Sequence, residues 1–286
     1  MQLWSTRILI ALCAVAITFN ASAQEKAKNQ RNKRAKKSLI KNIAIAPGGL
    51  HQPFANWNPP GHQDFCSMCL DADGKPAVVM IGHNGKRDTL KVSRLVDGKL
   101  TAPITIPTSG DLYQPAIVRL ANGSLQVYWS ELENGDWNIY HRTVGTKKRP
   151  TLVAGGKGSD IFLHAATDSK GRPWVVWQSF AGTFSDLYAR TPQGKTIAIT
   201  THAKGDWEPR ITFGPKDEAL VVFDSYRRGN YDVYLATISA NGEKDIVHVA
   251  QSDRYEARAG HALSKDGKHL WVAYEDGTER WGKDLG

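Results

Sequence analysis

The chain has 286 residues, a formal net charge of +9 and 41% hydrophobic residues, enough apolar material for a sizeable core. Its 26 glycines and 13 prolines suit a loop-rich β protein, and no helical periodicity is long enough to compete. The charge is concentrated at one end: residues 24–41 hold eight Lys and Arg against Glu25 alone, so the remaining chain is close to neutral and carries no signature of a specific nucleic-acid binder.

In chain order, residues 1–23 read as a secretory signal. Arg7 supplies the positive region, Ile8 to Phe19 the apolar core, and Ala21-Ser22-Ala23 the small-residue cleavage site. The apolar core is shorter than the ~18 residues a membrane span needs, and no second such run follows, so no transmembrane segment is expected. Cleavage near Ala23 would release a periplasmic or extracellular protein. Residues 24–38 form a basic linker expected to be disordered, with an affinity for anionic surfaces as its functional reading. The propeller described below is assigned to residues 39–286.

His62, Asp64, Cys66 and Cys69 form an H-x-D-x-C-x-x-C run. In an extended strand the two cysteine Cα atoms lie about 10 Å apart, beyond the about 7 Å that a disulfide spans. A strand there predicts free thiols or metal ligands, whereas a bend would permit a bridge. The four residues are the candidate ligands for zinc or another soft metal, but strong zinc signals carry two such pairs, so no cofactor is assigned.

From this point the chain repeats. The runs PAVVM, LQVYW, PWVVW, ALVVF and LWVAY end in Met80, Trp129, Trp177, Phe223 and Tyr274, spaced 49, 48, 46 and 51 residues apart. Each is preceded by an Asp near an aromatic residue (Asp64, Asp111, Asp160, Asp206, Asp253). Three units end alike, in DWNIYHR, FSDLYAR and NYDVYLA. Four β-like runs per unit, separated by turn residues, predict the blades of an all-β propeller, with the large recurring residue filling the space between blades.

The unit at 206–253 resembles the TolB-type propeller repeat. Pro209, the strand Leu220 to Phe223, and Ser225, Gly229, Asn230, Asp232, Val233 and Tyr234 carry the likeness, which LSKDGKHLWVAYE near the C-terminus shares. The resemblance spans about 240 residues and implies a fold, not an activity. Five units predict five four-stranded blades, with Leu39–Pro47 as the N-terminal strand that completes the last one. The alternative is a truncated propeller of six or more blades, six being the number the TolB family itself uses.

Chemistry is harder to read. The recurring Asp residues suit turn-holding bonds to backbone N–H groups better than a cation-binding ring. Residues that break the repeat are the better candidates for ligand binding: His62 and Cys66, and the inner-strand His164, Arg210, Arg258 and His261, which can face the axial channel. Loop aromatics Trp57, Trp137 and Tyr231 suit contact with a glycan or peptide. No G-x-S-x-G, H-E-x-x-H or P-loop occurs, and no catalytic residue is assigned.

The expectation is therefore an exported, monomeric, non-catalytic propeller that binds a protein, peptide or glycan through one loop face. A carbohydrate-active enzyme, glycosidase- or sialidase-like, or a piece of one, is the alternative. A cluster of two or three carboxylates with His or Arg at the channel mouth would favour that alternative. The near-consensus unit at 206–253 is the least expected place for it.

Overall fold

The computed structural model describes residues 12–18, 62–239 and 241–277. Among them lie twenty strands, arranged as successive antiparallel sheets of an all-β propeller with five blades. The first blade comprises β2 (His62–Leu70), β3 (Pro76–His83) and β4 (Asp88–Val96), with β5 (Lys99–Leu100) and β6 (Ile104–Ile106) both pairing on β4. The second is β7 (Leu112–Arg119), β8 (Leu125–Glu133), β9 (Asp136–Thr143) and β10 (Thr151–Ala154). The third is β11 (Asp160–Thr167), β12 (Pro173–Ser179), β13 (Asp186–Arg190) and β14 (Thr196–Ala198), and the fourth β15 (Asp206–Phe213), β16 (Ala219–Ser225), β17 (Asp232–Ile238) and β18 (Lys244–Ala250).

The fifth sheet holds β19 (Glu256–Leu263), β20 (His269–Asp276) and, paired antiparallel on β20, β1 (Leu12–Thr18). An N-terminal strand thus joins the last blade. It comes from the segment that reads as a secretory signal. Leu39–Pro47, expected in that role, lies outside the described residues.

Strand alternation explains the apolar runs. In a blade packed on both faces, residues of either parity must be buried, so the second strand reads as continuous hydrophobic sequence. All seven residues of β16 are buried. Those of one parity face the preceding blade: Phe223 and Val221 pack with Trp174, Val176 and Leu187 of the third. Those of the other parity, Leu220 and Val222, pack with Ala259, Leu270 and Val272 of the fifth. Trp129 and Trp177 likewise face the first and second blades. The recurring large residue is an inter-blade wedge, backed in three blades by a stacked Tyr: Trp129 on Tyr140, Trp177 on Tyr188 and Phe223 on Tyr234.

Every innermost strand carries the same defect. Its pairing slips by one residue near the start, and a non-glycine residue adopts positive φ there: Phe65 (40°), Gln114 (36°), Phe162 (52°), Glu208 (49°) and Arg258 (54°). Such bulges re-aim side chains, and the left-handed conformation costs roughly 1–2 kcal/mol at each non-glycine position. Five copies at one end of the inner strands place an aromatic, an amide, an aromatic, a carboxylate and a guanidinium at equivalent positions.

This register shows that the recurring aspartates do not occupy one equivalent position. Counted from the bulge, Asp160 and Asp206 are equivalent, and the fifth blade has Glu256 in that slot, since Asp160, Asp206 and Glu256 pair with Ser179, Ser225 and Asp276. Asp111 precedes the equivalent Leu112, Asp253 lies three residues before Glu256, and Asp64 follows the equivalent Gln63. The Asp spacing came from different positions in similar turns, so the five do not form one ring.

Candidate active site

The residue after each inter-blade wedge faces the following blade. In chain order these are Ile81, Ser130, Gln178 and Asp224; in the fifth blade the slot holds Glu275, which pairs with Arg258 of its own blade. The slot works as a stitch. The Ser130 hydroxyl donates to the Asp160 carbonyl (3.2 Å), and Gln178 Oε1 accepts from the bulge N–H of Glu208 (3.3 Å). Asp224 Oδ2 accepts from the bulge N–H of Arg258 at 2.7 Å. A carboxyl therefore does in the fourth blade what an amide does in the third, and only one of its oxygens is needed. The other, Asp224 Oδ1, is buried with no hydrogen-bond partner among the described residues.

Burial dominates the ionisation of Asp224. Removal from water raises its pKa to about 7, the nearby Glu208 carboxylate works in the same direction, and the Arg258 N–H opposes them. Next to it the Arg258 guanidinium pairs with Glu275 at 3.1 Å. Tyr231 and Tyr255 stand 5.2 Å apart, ring to ring, with Trp207 and Tyr226 at 5.0 and 5.2 Å from Tyr231. Both tyrosines lie within the field of Asp224. Three carboxyl groups, a guanidinium and an aromatic wall thus meet where the fourth and fifth blades adjoin. A proton held on a buried carboxyl near neutral pH, beside a partly exposed Glu208, is the arrangement of a general acid with a carboxylate partner.

Across the same bulge level, the first three blades present a second aromatic group. Tyr113 lies 4.6 Å from Phe65, 5.5 Å from Phe162 and 5.9 Å from Trp137. Trp137, expected as a loop contact residue, is half-buried on β9 against Tyr113. Tyr231 and Arg258, both expected binding residues, belong to the carboxyl cluster.

His164, Arg210 and His261 come together further along the inner strands of the third, fourth and fifth blades. The histidine rings are 6.3 Å apart, and His164 Nδ1 accepts from the Ile211 N–H (3.2 Å), which places the ring proton on Nε2. Burial first, then the positive charge of Arg210, depresses His164 to about 3; burial likewise depresses His261 to about 4. Both are neutral at ordinary pH, as binding groups for hydroxyls rather than for anions.

Cys66 and Cys69 are free thiols on a regular part of β2, opposite Met80 and Ala77. Three residues apart in a strand, they project from opposite faces and do not converge on one ion. Cys66 is exposed, whereas Cys69 packs on the core and burial raises its pKa to about 11. The side chains of His62 and Asp64, and all of Trp57, lie outside the described residues. Among the described residues no group of three His, Cys, Asp or Glu is placed to hold a metal.

Glu208, Asp224 and Glu275 were missed. The available signal was the slot after the large residue, where Ile, Ser and Gln give way to Asp and Glu. That slot lies one residue beyond the recurring apolar runs, and in the 206–253 unit it sits within an otherwise near-consensus repeat.

The fold and this cluster define a five-bladed propeller with a carboxyl site at the ends of the first and second strands of its fourth and fifth blades. No protein-family model matches the chain, and no curated protein sequence matches it. Among solved structures it is similar to an α-L-arabinofuranosidase from Fusarium graminearum in complex with an iminosugar inhibitor, at 14% identity over 75% of this chain and 70% of that one, TM-score 0.52. It is also similar to an α-L-arabinanase from Penicillium chrysogenum complexed with arabinobiose (12% identity, 73% and 74% covered, TM-score 0.50). A protein of unknown function from Dyadobacter fermentans gives 12% identity, 77% and 78% coverage and a TM-score of 0.53. At these identities the likeness establishes the fold.

The expectation of a non-catalytic binder acting through a loop face is corrected here. The specialised residues are a buried acid on the second strand of the fourth blade and carboxylate neighbours on β15 and β20, and structures sharing the fold include glycan-cleaving enzymes.

Proposed function

We propose that this protein is a glycoside hydrolase acting on a polysaccharide or oligosaccharide, with Asp224 as proton donor. The observation that carries the reading is the Asp224 carboxyl itself: buried, raised to about 7, held by the Arg258 and Ala259 N–H groups, with Oδ1 lacking a hydrogen-bond partner among the described residues. Glycosidic cleavage needs a protonated carboxyl at the leaving oxygen and an ionised carboxylate at the anomeric carbon. Asp224 supplies the first, and Glu208, partly exposed beside it, the second. The proton moves from Asp224 to the leaving oxygen as the C–O bond breaks. Water then adds to the anomeric carbon and its proton restores the acid.

Tyr231, Tyr255 and Trp207 offer faces for a sugar ring, and the ion-paired Arg258 and Glu275 offer a donor and an acceptor for its hydroxyls. The signal-like residues 1–23 support an exported enzyme, which would meet such polymers outside the cell. The fold likeness to arabinan-degrading enzymes makes arabinan the first polymer to test. Purified protein incubated with arabinan and a panel of neutral and acidic polysaccharides should release reducing ends. Asp224→Asn and Glu208→Gln should each lower the rate by about 100-fold or more. Absence of new reducing ends from every polymer, with the protein folded, would refute the reading.

A further inference from the structure

The third and fourth blades differ at one position in a way that opens a socket. In the fourth, the Arg227 guanidinium lies 5.0 Å from the Tyr234 ring and 5.5 Å from the Phe223 ring, and its Nη2 is 3.3 Å from Oδ2 of the fully buried Asp206. A carboxylate at the end of the inner strand and a stacked aromatic pair together hold a cation.

The third blade repeats this cradle. Asp160 is equivalent to Asp206, Trp177 to Phe223 and Tyr188 to Tyr234, with the aromatic rings stacked at 5.9 Å and 22°. The backbone following the wedge also matches, since the Phe180 and Tyr226 N–H groups donate to the Ser159 and Gly205 carbonyls. The residue at the position of Arg227 is Ala181. A cleft of about 440 Å3 results, lined by Asp160, Trp177, Tyr188, Ala181, Leu152 and Arg190, among others. Gly158 lets the neighbouring loop close in behind it: a Cβ there would lie 2.6 Å from the Phe180 carbonyl oxygen, and its φ is +90°.

We infer that this cleft is a docking socket for an arginine side chain of a partner protein or peptide. The same chain shows the guanidinium pose one blade away. Asp160 is 6% exposed and, among the described residues, its side-chain hydrogen-bond donors are the neutral Ser179 and Trp177, the latter through Nε1 at 3.0 Å, so a cation entering the cleft meets a carboxylate with no described ion-pair partner. Leu152 on the lining and Phe180 beside Ala181 are large hydrophobic side chains left exposed, as a protein partner would cover them. The rim also carries Lys157 and Arg190, the latter bonded to Thr196 Oγ1 at 2.8 Å. These two rim cations favour a docking segment that carries a carboxylate next to its arginine. The socket is separate from the carboxyl cluster and stands whether or not the protein hydrolyses glycans.

The test is titration of the full protein with N-acetylarginine, N-acetylarginine amide and N-acetylcitrulline, read by indole NMR shifts assigned through Trp177→Phe. N-acetylarginine should give a saturable shift of the Trp177 indole, the amide a weaker one, and the uncharged citrulline compound binding at least about tenfold weaker. Ala181→Arg, which fills the cleft from within, should abolish the shift and raise the melting temperature. Asp160→Asn should also abolish it. No saturable shift with N-acetylarginine, or equal binding of the citrulline compound, overturns the inference. Should Asp160→Asn fail to fold, loss or retention of binding in Ala181→Arg decides the matter.

Discussion

Asp224 Oδ2 accepts the backbone N–H of Arg258 at 2.7 Å, across the boundary between the fourth and fifth blades. One contact thus joins a buried acid to a left-handed bulge residue, and the propeller's inter-blade stitch becomes part of a candidate catalytic site. Gln178 shows what the stitch needs in the absence of chemistry, an acceptor oxygen for the Glu208 N–H.

Asp224→Asn keeps that acceptor, so the fold should survive while activity is lost. Because the folded pKa is about 7 and the unfolded one near 3.8, the native state holds a proton that the unfolded chain releases. Native stability therefore declines as pH rises from about 4 through 7. The Asn variant should lack that decline and be more stable than the parent by roughly a few kcal/mol at pH 8. Urea unfolding at pH 5 and pH 8 measures it, and an unchanged pH dependence would place the acid elsewhere.

His164 and His261 act in the opposite direction. Both are held neutral in the fold, with pKa values of about 3 and 4 against an ordinary 6.5. The unfolded chain takes up protons first, so stability is lost as pH falls below about 6.5, by up to about 1.4 kcal/mol per histidine per pH unit. His164→Asn offers an acceptor to the Ile211 N–H and cannot titrate. Its unfolding free energy should vary less between pH 6.5 and 4 than the parent's, as followed by denaturant titration.

Removing the Arg227 side chain leaves Asp206 buried without its cation. Arg227→Ala should cost about 3 kcal/mol by chemical denaturation, and adding Asp206→Asn should restore part of that loss, because the uncompensated charge is the larger penalty. Additive losses in the double variant would mean that the stacking on Phe223 and Tyr234 dominates.

The two thiols should separate by rate. Cys66 is exposed on β2, whereas Cys69 is packed against the core and its pKa is pushed up to about 11. At pH 8 a thiol reagent should modify Cys66 of the folded protein rapidly and Cys69 only on unfolding, with mass spectrometry of the labelled peptides assigning each rate. Equal rates would show that β2 is loosely held.

The blades were legible in the sequence because their cause is local and repetitive. A strand buried on both faces must read as an apolar run such as ALVVF, and a wedge between blades must be large, so Trp129, Trp177 and Phe223 recur in phase. The identity of the site was not legible in this way. Asp224 looks like any polar residue at the end of a strand. Only packing one blade on the next shows that its carboxyl is enclosed, that Arg258 N–H takes one oxygen, and that Glu208 lies beside it. The positional inequivalence of the recurring aspartates was hidden for the complementary reason, since a one-residue bulge shifts register without leaving a mark in the spacing. Sequence alone determined the repeat, and with it the all-β propeller. Tertiary structure alone decided which carboxylates lose their water and meet, because burial and proximity between blades are properties of the assembled sheets, not of any one strand.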